Sequence, residues 1–333
     1  MQSYTPAASS RGVATRLRYA AAFAMLCSIW GSTWLVIKIG LQGAPPFLAA
    51  CLRFVVASVT LLALSAVLRS KLPRGRVEWG LVALYGVVLF GADYGLIYWG
   101  EGNGVASGLS AVLFATFPFQ TAIFAHVLLR TERLSIQKLG GIAIGFAGII
   151  FIFRGQLATS AALFFPMLGV VLSATCAAVA SVAVKRWGHD TDPVSFNGLA
   201  MGTGSLVLAG ASLLAGERWA VPSWPEGIGA VVYLGLVGSV IAFVTYLWLL
   251  KRIEATSLSY IAFVNPIVAV LLGYLVAKEM LDPLVLSGAG MTLAGIWLGT
   301  SKRAAAWIRV AFGTGVAPEG PPLDDPADKK GPD

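Results

Sequence analysis

Ten apolar stretches, each about as long as a bilayer is thick, alternate with short polar segments from Tyr19 to Ser301. They cover Tyr19–Gly40, Pro46–Leu68, Trp79–Trp99, Gly104–Leu129, Ile136–Phe153, Ala162–Val184, Val194–Ala215, Glu226–Leu249, Thr256–Ala277 and Asp282–Ser301. A helix rising 1.5 Å per residue crosses ~30 Å of hydrocarbon in ~20 residues. Lipid cannot satisfy bare backbone groups, so each stretch is expected to be a helix whose amides bond internally. The pattern predicts an all-α membrane protein with ten transmembrane helices. The first stretch is too long, and too closely followed by others, to be a cleaved leader.

Composition agrees: 57% of the residues are hydrophobic and 12% charged, against roughly 25% charged in soluble domains. The net charge of +8 would suit an anionic partner, but its placement argues against nucleic acid. With the N-terminus in the cytoplasm, 17 Lys and Arg fall on the cytoplasmic side and 3 (Arg154, Arg218 and Lys278) outside. That is a strong positive-inside bias, so the basic residues orient the chain in the bilayer. An even number of spans returns the C-terminus to the cytoplasm.

The chain also repeats itself with a period of about 147 residues. Lys38 maps on Lys185, Glu132 on Glu279, Gly141 and Gly148 on Gly288 and Gly295, and Ala147 on Ala294. With shifts of one or two residues, Pro118 maps on Pro266, Trp99 on Trp248 and Ala106 on Ala255. The repeat unit holds five spans. Five is odd, so the second copy starts from the opposite side of the membrane and the halves are expected to be inverted repeats. Such symmetry suits a secondary transporter, whose two halves can exchange inward-open and outward-open states. The expected division is a cytoplasmic segment 1–18, a first five-helix repeat 19–153, a second 154–301 and a cytoplasmic tail 302–333, read as disordered from its Pro, Asp and Lys content.

These residues carry a resemblance. Span 1 reads Trp30-Gly31-Ser32-Thr33-Trp34 with Lys38 beyond; span 2 opens on Pro45-Pro46 and reaches Arg53-Phe54; span 4 has Pro118, then Glu132; span 9 runs Tyr260-Ile261-Ala262-Phe263-Val264-Asn265-Pro266, then Glu279. Over about residues 20–300 the chain resembles the EamA family of the drug/metabolite transporter superfamily. The resemblance implies ten helices, cytoplasmic termini, a bacterial inner-membrane location and movement of small metabolites or drugs, often outward. The Trp-Gly-Ser motif is missing from the second copy, where Ala177 and Val179 stand, so the halves cannot offer identical surfaces to a cavity.

Ionisable residues within spans are rare and mark functional hypotheses. Here they are Lys38, Arg53, Asp93 and His126, with Glu101 at a border. Arg53 and Asp93 each lie seven residues from an outer helix end, ~10 Å deep. Equal depth permits an ion pair, with Lys38 as a third member. The pair would lock spans 1 to 3 together, or form an outer gate, or receive a charged group of a substrate. His126 suits a hydrogen bond to a neighbouring helix better than a proton relay.

Aromatic and amide residues suit a cavity for a small organic ligand. Trp30 and Trp34, four apart, share a face of span 1, and Tyr94 and Tyr98 do so in span 3. Thr116, Gln120, Tyr246, Tyr260 and Asn265 join them as candidates, while Trp79, Trp99 and Trp297 read as interface-belt residues. Pro118 and Pro266 each remove a backbone hydrogen bond and are expected to kink matching helices beside a central site. The glycines of spans 5 and 10 suit close helix packing, as scaffold or as a homodimer surface.

Other chemistry is not signalled. Cys27, Cys51 and Cys176 lie within spans without ligand spacing and read as small apolar residues. There is no P-loop, no HExxH and no nucleophile paired with His126 or His189, so no cofactor or metal is expected. The expected partners are a small-molecule substrate and the bilayer. The favoured reading is a non-enzymatic secondary transporter of an amino acid-like or drug-like metabolite, working by alternating access. A membrane-embedded enzyme and a non-transporting channel or scaffold are the alternatives.

Overall fold

The computed structural model describes residues 7–129, 136–220, 226–252, 258, 261–278 and 283–300. Among these there are helices and turns and no strand. The helices are α1 (Ala7–Gly40), α2 (Pro46–Leu68), α3 (Gly75–Gly102), α4 (Ser107–Phe114 and Phe117–Leu129), α5 (Ile136–Thr159), α6 (Phe164–Trp187), α7 (Pro193–Leu214), α8 (Gly227–Leu250), α9 (Ile261–Ala277) and α10 (Pro283–Thr300). Seven of them, α1 to α4 and α6 to α8, are long and apolar enough to cross a membrane. Shorter apolar stretches, Ala143–Ile152 and Val264–Ala277, lie in α5 and α9. α1 starts at Ala7, so the helix begins within the N-terminal segment 1–18, ahead of the apolar stretch. The tail expected to be disordered, from 302, lies outside the described residues.

Apolar side chains left exposed, such as Val59, Val67, Leu206, Ile150 and Leu275, would face water at a cost in a soluble protein and face lipid at none. The interior is more polar than such a surface would suggest. Arg53, Asp93, Glu101, Ser107, Ser110, Ser173 and Ser239 are all buried.

Helix contacts follow a reciprocal pattern. α2 packs on α7, and α5 on α10. α1 packs on α9 and α8, while α6 packs on α4 and α3; α2 meets α8, while α7 meets α3. The closest approach is between α5 and α10. A Cβ on Gly148 would lie 2.6 Å from the Gly288 carbonyl oxygen, and one on Gly295 2.5 Å from that of Gly141. Glycine lets the two backbones touch there. These glycines are thereby occupied within one chain.

Two helices depart from α geometry at related places. α3 is a π-helix over Tyr85–Asp93, and α8 over Leu236–Ile241. Such i→i+5 segments are rare and often accompany functional sites.

Candidate functional site

A cavity opens between α1, α3, α4, α6, α8 and α9, with about 650 Å³ of empty space when its open mouth is included. α1 lines it with Trp30, Thr33, Trp34 and Ile37, and α3 with Tyr85, Leu89, Asp93, Tyr94 and Ile97. Phe114 and Phe117 come from α4, Ala177 and Ser181 from α6, Phe243 and Tyr246 from α8, and Asn265 from α9.

The aromatic rings form two linked sets on the wall. The Trp30 ring stands 5.4 Å from that of Phe243 and 5.3 Å from that of Tyr246. Trp34 meets Phe114 at 5.5 Å, and Phe114 stacks on Phe117 at 5.8 Å. Tyr94 contacts Phe54, Phe90 and Phe243. Ring pairs at these tilted and edge-on angles hold one another in place, so the wall is set before any ligand enters.

Three polar atoms on this wall are buried without a hydrogen-bond partner: Trp30 Nε1, Asp93 Oδ1 and Asn265 Oδ1. Asp93, 2% exposed, is the one Asp, Glu, Lys, Arg or His on the lining among the described residues. Buried polar groups are normally satisfied, so atoms left open on a cavity wall point to what the cavity receives.

Arg53 sits behind this wall. Its side chain is 0% exposed and turns to α8, donating from Nε to Ser239 Oγ at 2.9 Å and from Nη2 to the Gly238 carbonyl at 3.3 Å. Ser239 Oγ in turn donates 2.8 Å to the Leu234 carbonyl, five residues back across the π segment. The guanidinium lies 4.6 Å from the centre of the Tyr94 ring and 5.2 Å from that of Phe54. A Cβ on Gly238 would come within 3.4 Å of Arg53 Nη2 and 3.0 Å of Thr33, so glycine makes room for this contact. The expected Arg53–Asp93 ion pair is therefore not made. Equal depth set the two groups at one height, but helix rotation aims Arg53 at the carbonyls of α8.

Of the expected cavity residues, the structure brings Trp30, Trp34, Tyr94, Tyr246 and Asn265 to the lining, with Asp93 beside them. Tyr98 is buried off the lining, because α3 faces the cavity along Tyr85, Leu89, Asp93 and Ile97. Gln120 is also off the lining; its amide nitrogen bonds Thr116 Oγ1 and the Val171 carbonyl of α6. Lys38 is half-buried, and Glu101 is buried; neither lines the cavity. His126 is exposed. Tyr260 lies outside the described residues.

The prolines act differently from each other. α4 breaks at Ala115–Thr116 and restarts with Phe117-Pro118, whereas α9 continues through Pro266. In both helices the residue before the proline, Phe117 or Asn265, lines the cavity. Tyr85, Thr33, Phe114, Phe117, Ala177, Ser181 and Phe243 were not expected on the wall. The repeat offset was the available signal for three of them: Ala177 and Ser181 correspond to Trp30 and Trp34, and Phe243 to Tyr94.

One further polar cluster holds α2 in place. Glu217, in the segment after α7, accepts from the backbone amides of Phe47 (3.0 Å) and Leu48 (2.9 Å) at the start of α2. Ser212 Oγ donates to Glu217 Oε2 at 2.7 Å, and Trp219 Nε1 to Ser212 Oγ at 3.1 Å.

Comparison with known proteins bears on this arrangement. The model of the EamA-like transporter family matches residues 18–154 and again residues 164–300. The chain is 34% identical over 276 residues to the uncharacterized inner membrane transporter YedA of Escherichia coli (strain K12), covering 82% of this chain and 87% of that protein. It is 26% identical over 276 residues to the uncharacterized transporter YoaV of Bacillus subtilis (strain 168), covering 82% of this chain and 93% of that one. A protein of known crystal structure shares the fold with a TM-score of 0.64 at 20% identity, over 85% of this chain and 97% of that chain.

Proposed function

The chain belongs to the EamA-like transporter family, and on that premise we propose that it is a secondary transporter with the aromatic cavity as its central site. Its cargo is a small organic metabolite, carried outward across the cytoplasmic membrane by alternating access. The observation that carries the reading is that the walls come in corresponding sets: α1, α3 and α4 from one repeat, α6, α8 and α9 from the other. A site between such halves can be uncovered from either side as the halves rock.

Ten membrane crossings in two inverted five-helix repeats, over 19–153 and 154–301, are part of this proposal. The reciprocal contacts support it, since each pairing has a mate when α1 to α5 are exchanged with α6 to α10. The α5–α10 glycines do the same, Gly148 against Gly288 and Gly141 against Gly295. Segments assigned to one side also meet: Glu217 reaches the start of α2, and Lys251 bonds the carbonyls of His189 and Thr191. The charge bias supports a cytoplasmic position for both termini. A reporter active only outside the cell, fused at residue 310, should stay silent. A homodimer through α5 and α10 would use their outward faces, which carry Ile144, Phe146, Ile150 and Leu286.

Reconstituted vesicles test the carrier. Saturable flux with counterflow of unlabelled substrate is the expected result. Flux that rises without saturation would mean a channel, and chemical conversion of the cargo would mean an enzyme.

A further inference from the structure

We propose that the cavity takes an organic monocation, an ammonium group on an apolar or aromatic body, with the charge received at Asp93. The inference rests on the carrier reading for what the site is and goes on to name the cargo's chemistry. Asp93 is 2% exposed, lines the cavity and leaves Oδ1 without a partner. Asn265 Oδ1, also open, adds a second acceptor to the wall. Among the described residues the lining holds no Lys, Arg or His. Trp30, Phe243 and Tyr246 line the same cavity, the latter two with centroids 5.4 and 5.3 Å from the Trp30 ring. Aromatic walls with a carboxylate attract an ammonium through the ring quadrupoles and the full charge together.

The charge balance also limits the cargo. Arg53 stands behind Tyr94 and off the lining. Its Nε and Nη2 bond Ser239 and the Gly238 carbonyl, and its Nη1 is buried without a partner. A single added positive charge therefore meets the Asp93 carboxylate, whereas a second would meet the field of Arg53. An anion or a zwitterion fares worse. The open donor on the wall is Trp30 Nε1, and one neutral N–H does not offset the desolvation of a carboxylate.

The test uses the purified full chain and three probes of similar bulk: phenyltrimethylammonium, phenylacetate and phenylalanine. Equilibrium dialysis should show phenyltrimethylammonium binding at least about tenfold more tightly than the other two, a gap of about 1.4 kcal/mol. Asp93→Asn, checked as monodisperse, should lose about tenfold in affinity for the cation and gain none for phenylacetate. The inference fails if phenylacetate or phenylalanine binds as well as the cation, if none binds, or if folded Asp93→Asn binds the cation unchanged. Should that variant not fold, the ranking on the unaltered chain decides alone. Vesicle flux separates this inference from the carrier reading. Cation binding without flux leaves this inference standing and removes the carrier. Saturable flux of phenylalanine or phenylacetate, with no cation binding, keeps the carrier and removes this inference.

Discussion

Trp30 and Trp34 of α1 and Ala177 and Ser181 of α6 occupy corresponding positions of the two repeats, 147 residues apart, and all four line one cavity. The backbone has kept the correspondence while the side chains have diverged from two indoles to a methyl and a hydroxymethyl. The same holds for charge. Arg53 corresponds to Ala200, and Asp93 to Ala242 under the shift that aligns Trp99 with Trp248. The first half supplies the charges and most of the rings; the second supplies Phe243 and Tyr246, space, the Ser239 and Gly238 acceptors for Arg53, and Asn265. Two corresponding halves thus build an unevenly charged pocket. In the proposed alternating-access cycle its inward-open and outward-open states would be equivalent in architecture while the cargo meets one set of polar groups throughout.

The largest expected effect comes from the charged side of this asymmetry. Arg53→Ala removes the guanidinium from Ser239 and the Gly238 carbonyl and empties the space beside the Tyr94 ring. Opening a cavity and leaving buried acceptors unpaired costs about 2–5 kcal/mol, so thermal unfolding in detergent should show a marked loss. Arg53→Lys should not restore it, since a point ammonium cannot bond Ser239 and lie on the Tyr94 face together. Combining Arg53→Ala with Asp93→Asn should recover part of the protein yield. An unfolding midpoint for Arg53→Ala equal to that of the unaltered chain would remove the buried cation from the account.

Next is the one region where the halves remain alike, the α5–α10 contact. Gly148→Ala would set a methyl 2.6 Å from the Gly288 oxygen, and neither backbone can give way cheaply. We expect a loss of 1–3 kcal/mol, the range for overpacked sites. Gly290→Ala in α10, with nothing within 4 Å of its Cβ, should be neutral or slightly stabilising because alanine favours the helix. Equal behaviour of the two variants in detergent unfolding would mean that the glycine faces do not carry the contact.

Ala177→Trp probes the cavity itself by giving the second half the indole that the first half has. It fills cavity space and should abolish saturable flux while leaving the unfolding midpoint within about 1 kcal/mol. Pairing it with Trp30→Ala restores volume but moves the indole to the other side. Flux that returns in the double variant would show that volume matters and the side does not, against the asymmetry argued above.

How much of this was legible in the sequence follows from what each signal encodes. The membrane class was legible because crossing hydrocarbon needs ~20 apolar residues in a row, a pattern that no packing detail can hide. The Trp30–Trp34 face was legible because α1 keeps its 3.6-residue turn past both. Tyr98 shares a face with Tyr94 in the α part of α3, yet it lies off the lining, because a shared face gives direction and not where along the helix a cavity ends. Arg53 and Asp93 show the converse gap. Distance from a helix end gives depth, but depth without rotation cannot name a partner, and the carbonyls of Gly238 and Leu234 become available only because α8 also has a π turn. Glu217 went unnoticed because its task, capping a helix about 170 residues away, leaves no local mark.

That cap gives the smallest effect and the cleanest contrast between the halves. The start of α7 is capped locally: Asp192 precedes Pro193, and its Oδ1 accepts from the amides of Val194 (2.9 Å) and Ser195 (3.1 Å). The corresponding start of α2 has Pro45 before Pro46 and no side-chain acceptor of its own; Glu217 fills that role from the other half. A carboxylate at a helix N-terminus is worth about 1 kcal/mol in either setting. Glu217→Ala should therefore destabilise by about that amount, and so should Asp192→Ala. The borrowed cap, however, ties two halves that rock against each other in the proposed cycle, whereas the local cap ties nothing. Glu217→Ala should then change the rate of flux, while Asp192→Ala changes stability alone. Adding Pro45→Asp to Glu217→Ala, which copies the α7 solution onto α2, should restore the unfolding midpoint but not the flux rate. Restoration of both would show that Glu217 only caps, and that the contact between the halves at this place has no part in transport.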